Sequence, residues 1–189
     1  MDGAYDPATG TWYTLDSGRW VQASAQIVEY YLDPRNYLDS TYIYAFLDQR
    51  YDPNMEDFYA AGMPYVIAGT FLEGTFVNSP SDPTVYNYTD VLLEAGRVNG
   101  VNPLVMAATL QIEQGKSGGG GCISGTEPGY EGYYDYFNVG AYKTSTMTAV
   151  QRGLWYASGC DTGQTSYGRP WNTRYASIMG GSQFYAQNY

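Results

Sequence analysis

With 189 residues the chain is long enough for one domain with a substantial core, and 44% hydrophobic against 15% charged residues excludes a disordered composition. A net charge of −10, from 9 Lys and Arg against 19 Asp and Glu, argues against nucleic-acid partners and anionic membrane surfaces. His is absent, which excludes Ser-His-Asp and Cys-His catalytic sets and imidazole-based zinc sites, so neither a metal nor another cofactor is expected.

The opening Met1-Asp2-Gly3 lacks the basic-then-apolar pattern of a secretory leader, so export would require one that was removed or lies outside this sequence. No run of roughly 20 apolar residues offers a membrane span. Turn signals at Asp6-Pro7, Thr9-Gly10 and Ser17-Gly18 predict a hairpin-like arm over residues 1–22. A first helix is expected over 24–32, stopped by Asp33-Pro34, and a short capped one over 39–47. Residues 55–73 read as helical but interrupted at Gly62 and Pro64, 79–83 as a loop, and 84–98 as a helix.

Gly100 to Gly115 carries the clearest helix signals. Asn102 is placed to cap, Pro103 suits the first helical position, and Gly115 offers a left-handed stop. Between them Leu104, Val105, Met106, Ala107, Ala108, Leu110 and Ile112 are apolar on nearly every side, predicting a helix buried over most of its surface. One acid, Glu113, stands at its end. The negative pole of the helix and partial burial would both favour its protonated form, as a general acid requires. The alternative is a solvated helix-end carboxylate beside Lys116.

Beyond Gly115 the chain is dense in Gly and Tyr, predicting a β-rich insertion over about 117–144 with short strands at 133–136 and 139–142. Gly118 to Gly121 lacks the Lys-Ser/Thr ending of a phosphate loop and follows a helix instead of opening one. Helices are expected over 145–158 and 172–187, around a loop from Cys160 to Pro170. Helices surrounding a small β-rich insertion predict an α+β fold. Cys122 and Cys160 each sit in a Gly-rich loop and either pair, in an oxidising compartment, or stay free. The 22 tyrosines suit a sugar-binding groove, since each ring offers an apolar face and a hydroxyl, although most single tyrosines serve the edge of a core.

Taken in order, Leu32-Asp-Pro-Arg-Asn-Tyr-Leu38, Gly69-Thr-Phe-Leu72, Gly100-Val-Asn-Pro103 with Gln111-Ile-Glu-Gln-Gly115, Ser124-Gly-Thr126 with Gly129-Tyr-Glu-Gly-Tyr-Tyr134, Tyr136-Phe-Asn-Val-Gly-Ala141, Gly168-Arg-Pro-Trp171 and Gly180-Gly181 form an ordered set. The set resembles the endo-β-N-acetylglucosaminidase domain of bacterial cell-wall hydrolases, glycoside hydrolase family 73, over residues 23–189. The resemblance implies a lysozyme-like α+β fold, a mainly helical lobe and a small β-rich lobe flanking a substrate cleft. It also implies cleavage of peptidoglycan glycan strands after N-acetylglucosamine, a secreted or cell-wall location, and a monomer with no nucleic-acid partner and no membrane insertion.

Carried over residue by residue, Glu113 matches the general acid that protonates the glycosidic oxygen. Tyr189 matches a cleft tyrosine following the Gly-Gly helix. Tyr133, Tyr136, Asn138 and Tyr142 are expected to contact substrate. For the second catalytic group the alternatives are Glu131, with Asp135 and Glu127 nearby, or the substrate's own 2-acetamido oxygen, with Tyr189 to orient it. Glu131 could equally accept backbone N–H bonds within its turn. Relatives continue past the position of Tyr189, so a truncated or minimal variant is one expectation. A glycan-binding module without turnover, and a muramidase or transglycosylase of the same fold, are the alternatives in function.

Overall fold

A computed structural model describes residues 5–6, 8–12, 22–39 and 48–189. The chain divides into two units, Met1–Asp48 and Gln49–Tyr189, so residues 23–48, which the sequence groups with the catalytic domain, fall in the first unit. In that unit β1 (Tyr5–Asp6) pairs antiparallel with β2 (Thr11–Trp12), in keeping with the hairpin-like arm. Ser24 accepts a hydrogen bond from Ile27 N and caps α1 (Ala25–Leu32). Asp33 ends α1 and accepts from Arg35 N while pairing with its guanidinium at 2.6 Å, which starts a 3-10 turn, Pro34–Tyr37. The short helix expected over 39–47 lies largely outside the described residues.

In the second unit Asp52 caps the 3-10 turn Pro53–Met55, which leads into α2 (Glu56–Ile67). The helix runs through Gly62 and Pro64 where an interruption was expected. Tyr59, Met63 and Ile67, four residues apart, bury one continuous face, and a Cβ on Gly62 would come within 3.1 Å of Leu104. Close packing of this kind outweighs helix propensity.

A hairpin follows. β3 (Thr75–Ser79) pairs antiparallel with β4 (Asp82–Asn87), opposing Phe76 to Tyr86 and Val77 to Val85. The loop expected at 79–83 is the hairpin's turn at Pro80 and Ser81, with strand residues taking its edges and the first turn of the helix expected from 84. The hairpin is fixed to the last helix: Asn78 Oδ1 accepts from Tyr175 N at 3.0 Å, and Arg174 donates to Val77 O at 2.9 Å.

Asn87 caps α3 (Tyr88–Asn99), and Gly100, left-handed at φ 75°, closes it. Asn102 accepts from Leu104 N and Pro103 opens α4 (Pro103–Gln114), as the sequence predicts. Only one side of α4 enters the core, through Met106, Ala107, Leu110 and Gln114. Ala108, Ile112 and Glu113 are exposed, with Ile112 at 81%, which corrects the expectation of burial on most sides.

Residues 117–144 contain turns and one 3-10 segment, Gly121–Ile123, and no strand, so the expected β-rich insertion is absent and the unit's hairpin lies before α4 instead. Gly118, Gly125, Gly129, Gly132 and Gly140 all have positive φ, as does Asn138, and this interrupts any extended ladder. Backbone bonds from Tyr134 N to Trp171 O and from Asp135 N to Cys122 O anchor the segment instead.

Thr148 and Gln151 form a capping box at the start of α5 (Ala149–Ala157). Thr173 caps α6 (Arg174–Asn188). At Gly181 a Cβ would stand 2.3 Å from Phe137, and at Gly180 2.2 Å from Trp171 Nε1, so the Gly-Gly pair is what lets α6 reach both rings. The fully buried Met63, Leu72, Leu92, Met106, Leu110, Trp171 and Ile178 join these elements in one core. Mixed helices with one small antiparallel hairpin make this unit α+β. Among the described residues no helix is long and apolar enough to cross a membrane.

Candidate active site

α4 delivers Glu113 to solvent because its neighbour Gln114 turns inward. The buried Gln114 Nε2 approaches Tyr136 O at 2.9 Å, Asn138 Oδ1 at 3.1 Å and Asp135 O at 3.2 Å. These contacts bind the end of the helix to the 135–138 turn. Asn138 holds a left-handed backbone, φ 51°, which Asn tolerates better than most residues. In that conformation its Nδ2 donates to Glu113 Oε2 at 3.0 Å and to Glu113 O at 2.9 Å. The carboxyl group is thus held on one oxygen, and Oε1 remains open.

Glu113 borders a cleft of about 420 Å³ whose aromatic wall comprises Phe137, Phe184, Tyr185 and Tyr189. Tyr185 and Tyr189 stack with centroids 5.3 Å apart and planes at 25°, and the Tyr185 hydroxyl donates to Gln49 Oε1 at 2.9 Å. Tyr189 is 89% exposed. Rings flanking a carboxyl group give apolar faces for a sugar beside a proton donor. Glu113 itself is exposed, so the partial burial expected for it is not observed.

The other candidates separate. Glu131 does not line this cleft; it is exposed and its Oε2 accepts from Gly129 N at 3.1 Å, the turn role weighed from the sequence. Glu127 does not line it either. Asp135 is sealed in the core, where burial pushes its carboxyl well above the usual carboxylate range, partly offset by the bond from Val139 N to Oδ1 at 3.0 Å. Tyr136 is fully buried with its hydroxyl 2.8 Å from that of Tyr88, and burial raises its ionisation far above the ordinary tyrosine value. A core Tyr136 corrects its expected contact with substrate.

Tyr133 is half-buried and outside the cleft lining. Tyr142, also outside it, accepts from Arg152 Nη2 at 3.1 Å beneath the same guanidinium. Asn138 does line the cleft, but its amide is engaged with Glu113 and Gln114. Cys122 and Cys160 are both free thiols, and burial pushes the Cys122 thiol up to about 12. Sequence reasoning missed Phe184 and Tyr185 in the cleft wall. The available signal was that Tyr185 lies one helical turn before Tyr189 and shares its face.

No family model matches the chain, and no curated protein matches it in sequence. In structure, the crystal structure of a major bifunctional autolysin aligns with a TM-score of 0.57 at 19% identity, over 93% of this chain and 62% of that one. The two share a fold. The chain spans about three fifths of the autolysin chain's length, and at this identity the likeness concerns architecture alone.

Proposed function

We propose that the chain is a peptidoglycan hydrolase that cleaves the β-1,4 bond after N-acetylglucosamine, with Glu113 as general acid, acting outside the cell at the wall. The observation that carries this reading is the Glu113–Asn138 pair at the edge of a cleft walled by four aromatic rings. The ordered motifs resembling family 73 glucosaminidases, and a fold shared with an autolysin structure, give it context. Asn138 donates to Oε2, so the transferable proton belongs on Oε1, the oxygen facing no protein donor among the described residues. From there it passes to the glycosidic oxygen as the bond to the anomeric carbon breaks.

For the second half of the reaction the cleft lining supports one reading, since Glu113 is the one carboxylate in it among the described residues. A two-carboxylate scheme needs a partner within about 5–9.5 Å across the sugar. With Glu131 in its own turn, we favour attack by the substrate's 2-acetamido oxygen, with Tyr189 placed to orient that group. Water then opens the cyclic intermediate.

The test is digestion of purified peptidoglycan by wild type and Glu113→Gln, with mass spectrometry of the products. N-acetylglucosamine at the new reducing ends, lost in the variant, is expected. Equal digestion by both proteins removes Glu113 from the mechanism. Muramic acid ends assign a muramidase or transglycosylase, and binding to wall without fragment release assigns a binding module.

A further inference from the structure

The open face of α4 continues past the cleft. Ile112 borders the aromatic cleft on one side and, on the other, a second groove of about 480 Å³ between α4 and the end of α2. This groove is lined by Val66, Ala68, Thr70, Ala108, Gln111, Ile112 and Lys116. We infer that it is an accessory subsite that takes a carboxylate-bearing peptide branch of the glycan strand whose backbone occupies the Glu113 cleft. The inference rests on the glycan-hydrolase reading above.

The chemistry of the two grooves differs in kind. The cleft has rings that suit sugar faces; the second groove has none, and offers small aliphatic surfaces instead. At its end stands Lys116, one of only 9 cationic side chains in a chain of net charge −10. Its Nζ lies 3.8 Å from the position a Cβ on Gly69 would occupy. Among the described residues no carboxylate pairs with it, although Glu73 is close by and accepts from Gly69 N at 2.9 Å. An uncommitted cation at the end of a ring-free groove selects a carboxylate over a neutral sugar.

Gln111 supplies a peptide-like contact. Its Nε2 donates to Val66 O at 3.0 Å and to Ala107 O at 3.2 Å, satisfying a carbonyl in the last turn of α2. Its Oε1 has no donor among the described residues and is free to accept a peptide N–H. The groove itself is fixed in place, since Phe71 N donates to Lys116 O at 3.0 Å, a backbone bond that side-chain substitution leaves intact.

The experiment compares soluble glycan strands carrying intact peptide stems with the same strands stripped of peptide by an amidase. Binding is measured by calorimetry to the Glu113→Gln protein, which removes turnover. Peptide-bearing strands are expected to bind more tightly. Adding Lys116→Gln should weaken them by about two- to fivefold, the range for an exposed ion pair, and Lys116→Glu by more, with stripped strands unaffected. Equal effects of Lys116→Gln on both ligands, or no effect on either, or no binding of peptide-bearing strands, overturns the inference. Turnover of peptide-bearing strands by wild type is scored separately: its absence refutes the hydrolase reading, while a Lys116-dependent preference for peptide-bearing strands in binding would still support the groove.

Discussion

Replacing Asn138 with Gly removes the carboxamide while keeping the left-handed backbone, because Gly adopts φ 51° without strain. The change deletes the donor to Glu113 Oε2 at 3.0 Å, the donor to Glu113 O at 2.9 Å and the acceptor for Gln114 Nε2 at 3.1 Å. As the proton leaves Glu113 the bond from Asn138 comes to serve a charged group, worth about 1.5–3 kcal/mol; in a site this open the lower end applies, equivalent to about a tenfold fall in kcat. The two lost neutral bonds lower stability by about 1–2 kcal/mol. In the proposed mechanism Asn138 acts on the general acid and not on the sugar, so KM should stay within about twofold while kcat falls, in steady-state assays on defined glycan strands well below the variant's melting temperature. A raised KM with unchanged kcat would return Asn138 to the substrate-contacting role expected from the sequence. Wild-type kcat in folded Asn138→Gly would refute the positioning argument altogether. Asn138→Ala should show the same kcat loss and a further destabilisation of about 1 kcal/mol, since a Cβ disfavours the left-handed conformation.

Three further outcomes follow from the same geometry. Glu131→Gln should leave kcat within about twofold of wild type, because its carboxylate serves the Gly129 turn; a loss of a hundredfold or more would restore the two-carboxylate route. Gly181→Ala should cost about 1–3 kcal/mol in denaturant unfolding, since the new methyl would meet Phe137 at 2.3 Å, and an unchanged midpoint would show that α6 can shift freely. Asp135 has a folded ionisation raised by burial above its ordinary 3.8, so its stabilising contribution is complete below that value and is lost as pH rises toward the raised one. Asp135→Asn removes the titration and keeps an acceptor for Val139 N. The melting-temperature difference, variant minus wild type, should therefore grow as pH rises above about 4, and parallel curves would show that Asp135 does not titrate in this way.

Local capping rules explain why so much of α4 was legible: Asn102, Pro103 and Gly115 act within a few residues of one another, and the structure places all three as expected. Burial was less legible. A helix apolar on all sides reads as enclosed, but whether Ile112 meets a neighbour is decided by tertiary packing, and here it stays exposed. The strands at 75–87 were hidden by Pro80, Ser81 and Pro83, which signal a loop, whereas the Tyr-rich 133–142 segment has strand-like composition. Positive φ at Gly132, Asn138 and Gly140 prevents pairing there. Tyr136 illustrates the ambiguity of tyrosine: the same side chain suits a groove or a core, and only its partner, the Tyr88 hydroxyl, decides.

Glu113 and Gln114 show how adjacent residues divide the demands on the carboxyl group proposed as general acid. A helix turns side chains by about 100° per residue, so consecutive positions cannot face the same way. Gln114 faces the core and locks the 135–138 turn; Glu113 consequently faces the cleft. The turn returns the constraint through Asn138, whose amide reaches both the backbone and the carboxyl group of Glu113. The geometry at Glu113 therefore comes from a buried neighbour and one left-handed turn, while the carboxyl group itself stays open to solvent. Gln114→Leu tests this division. It preserves the apolar volume but leaves the carbonyls of Asp135 and Tyr136 without their donor, at a cost of about 2–4 kcal/mol for two buried acceptors. It should lower kcat along with stability although its side chain never touches the cleft. If folded Gln114→Leu matched wild type in kcat, the turn would be held by packing of Phe137 and Val139 alone, and the hydrogen-bonded route to Glu113 would have no catalytic consequence.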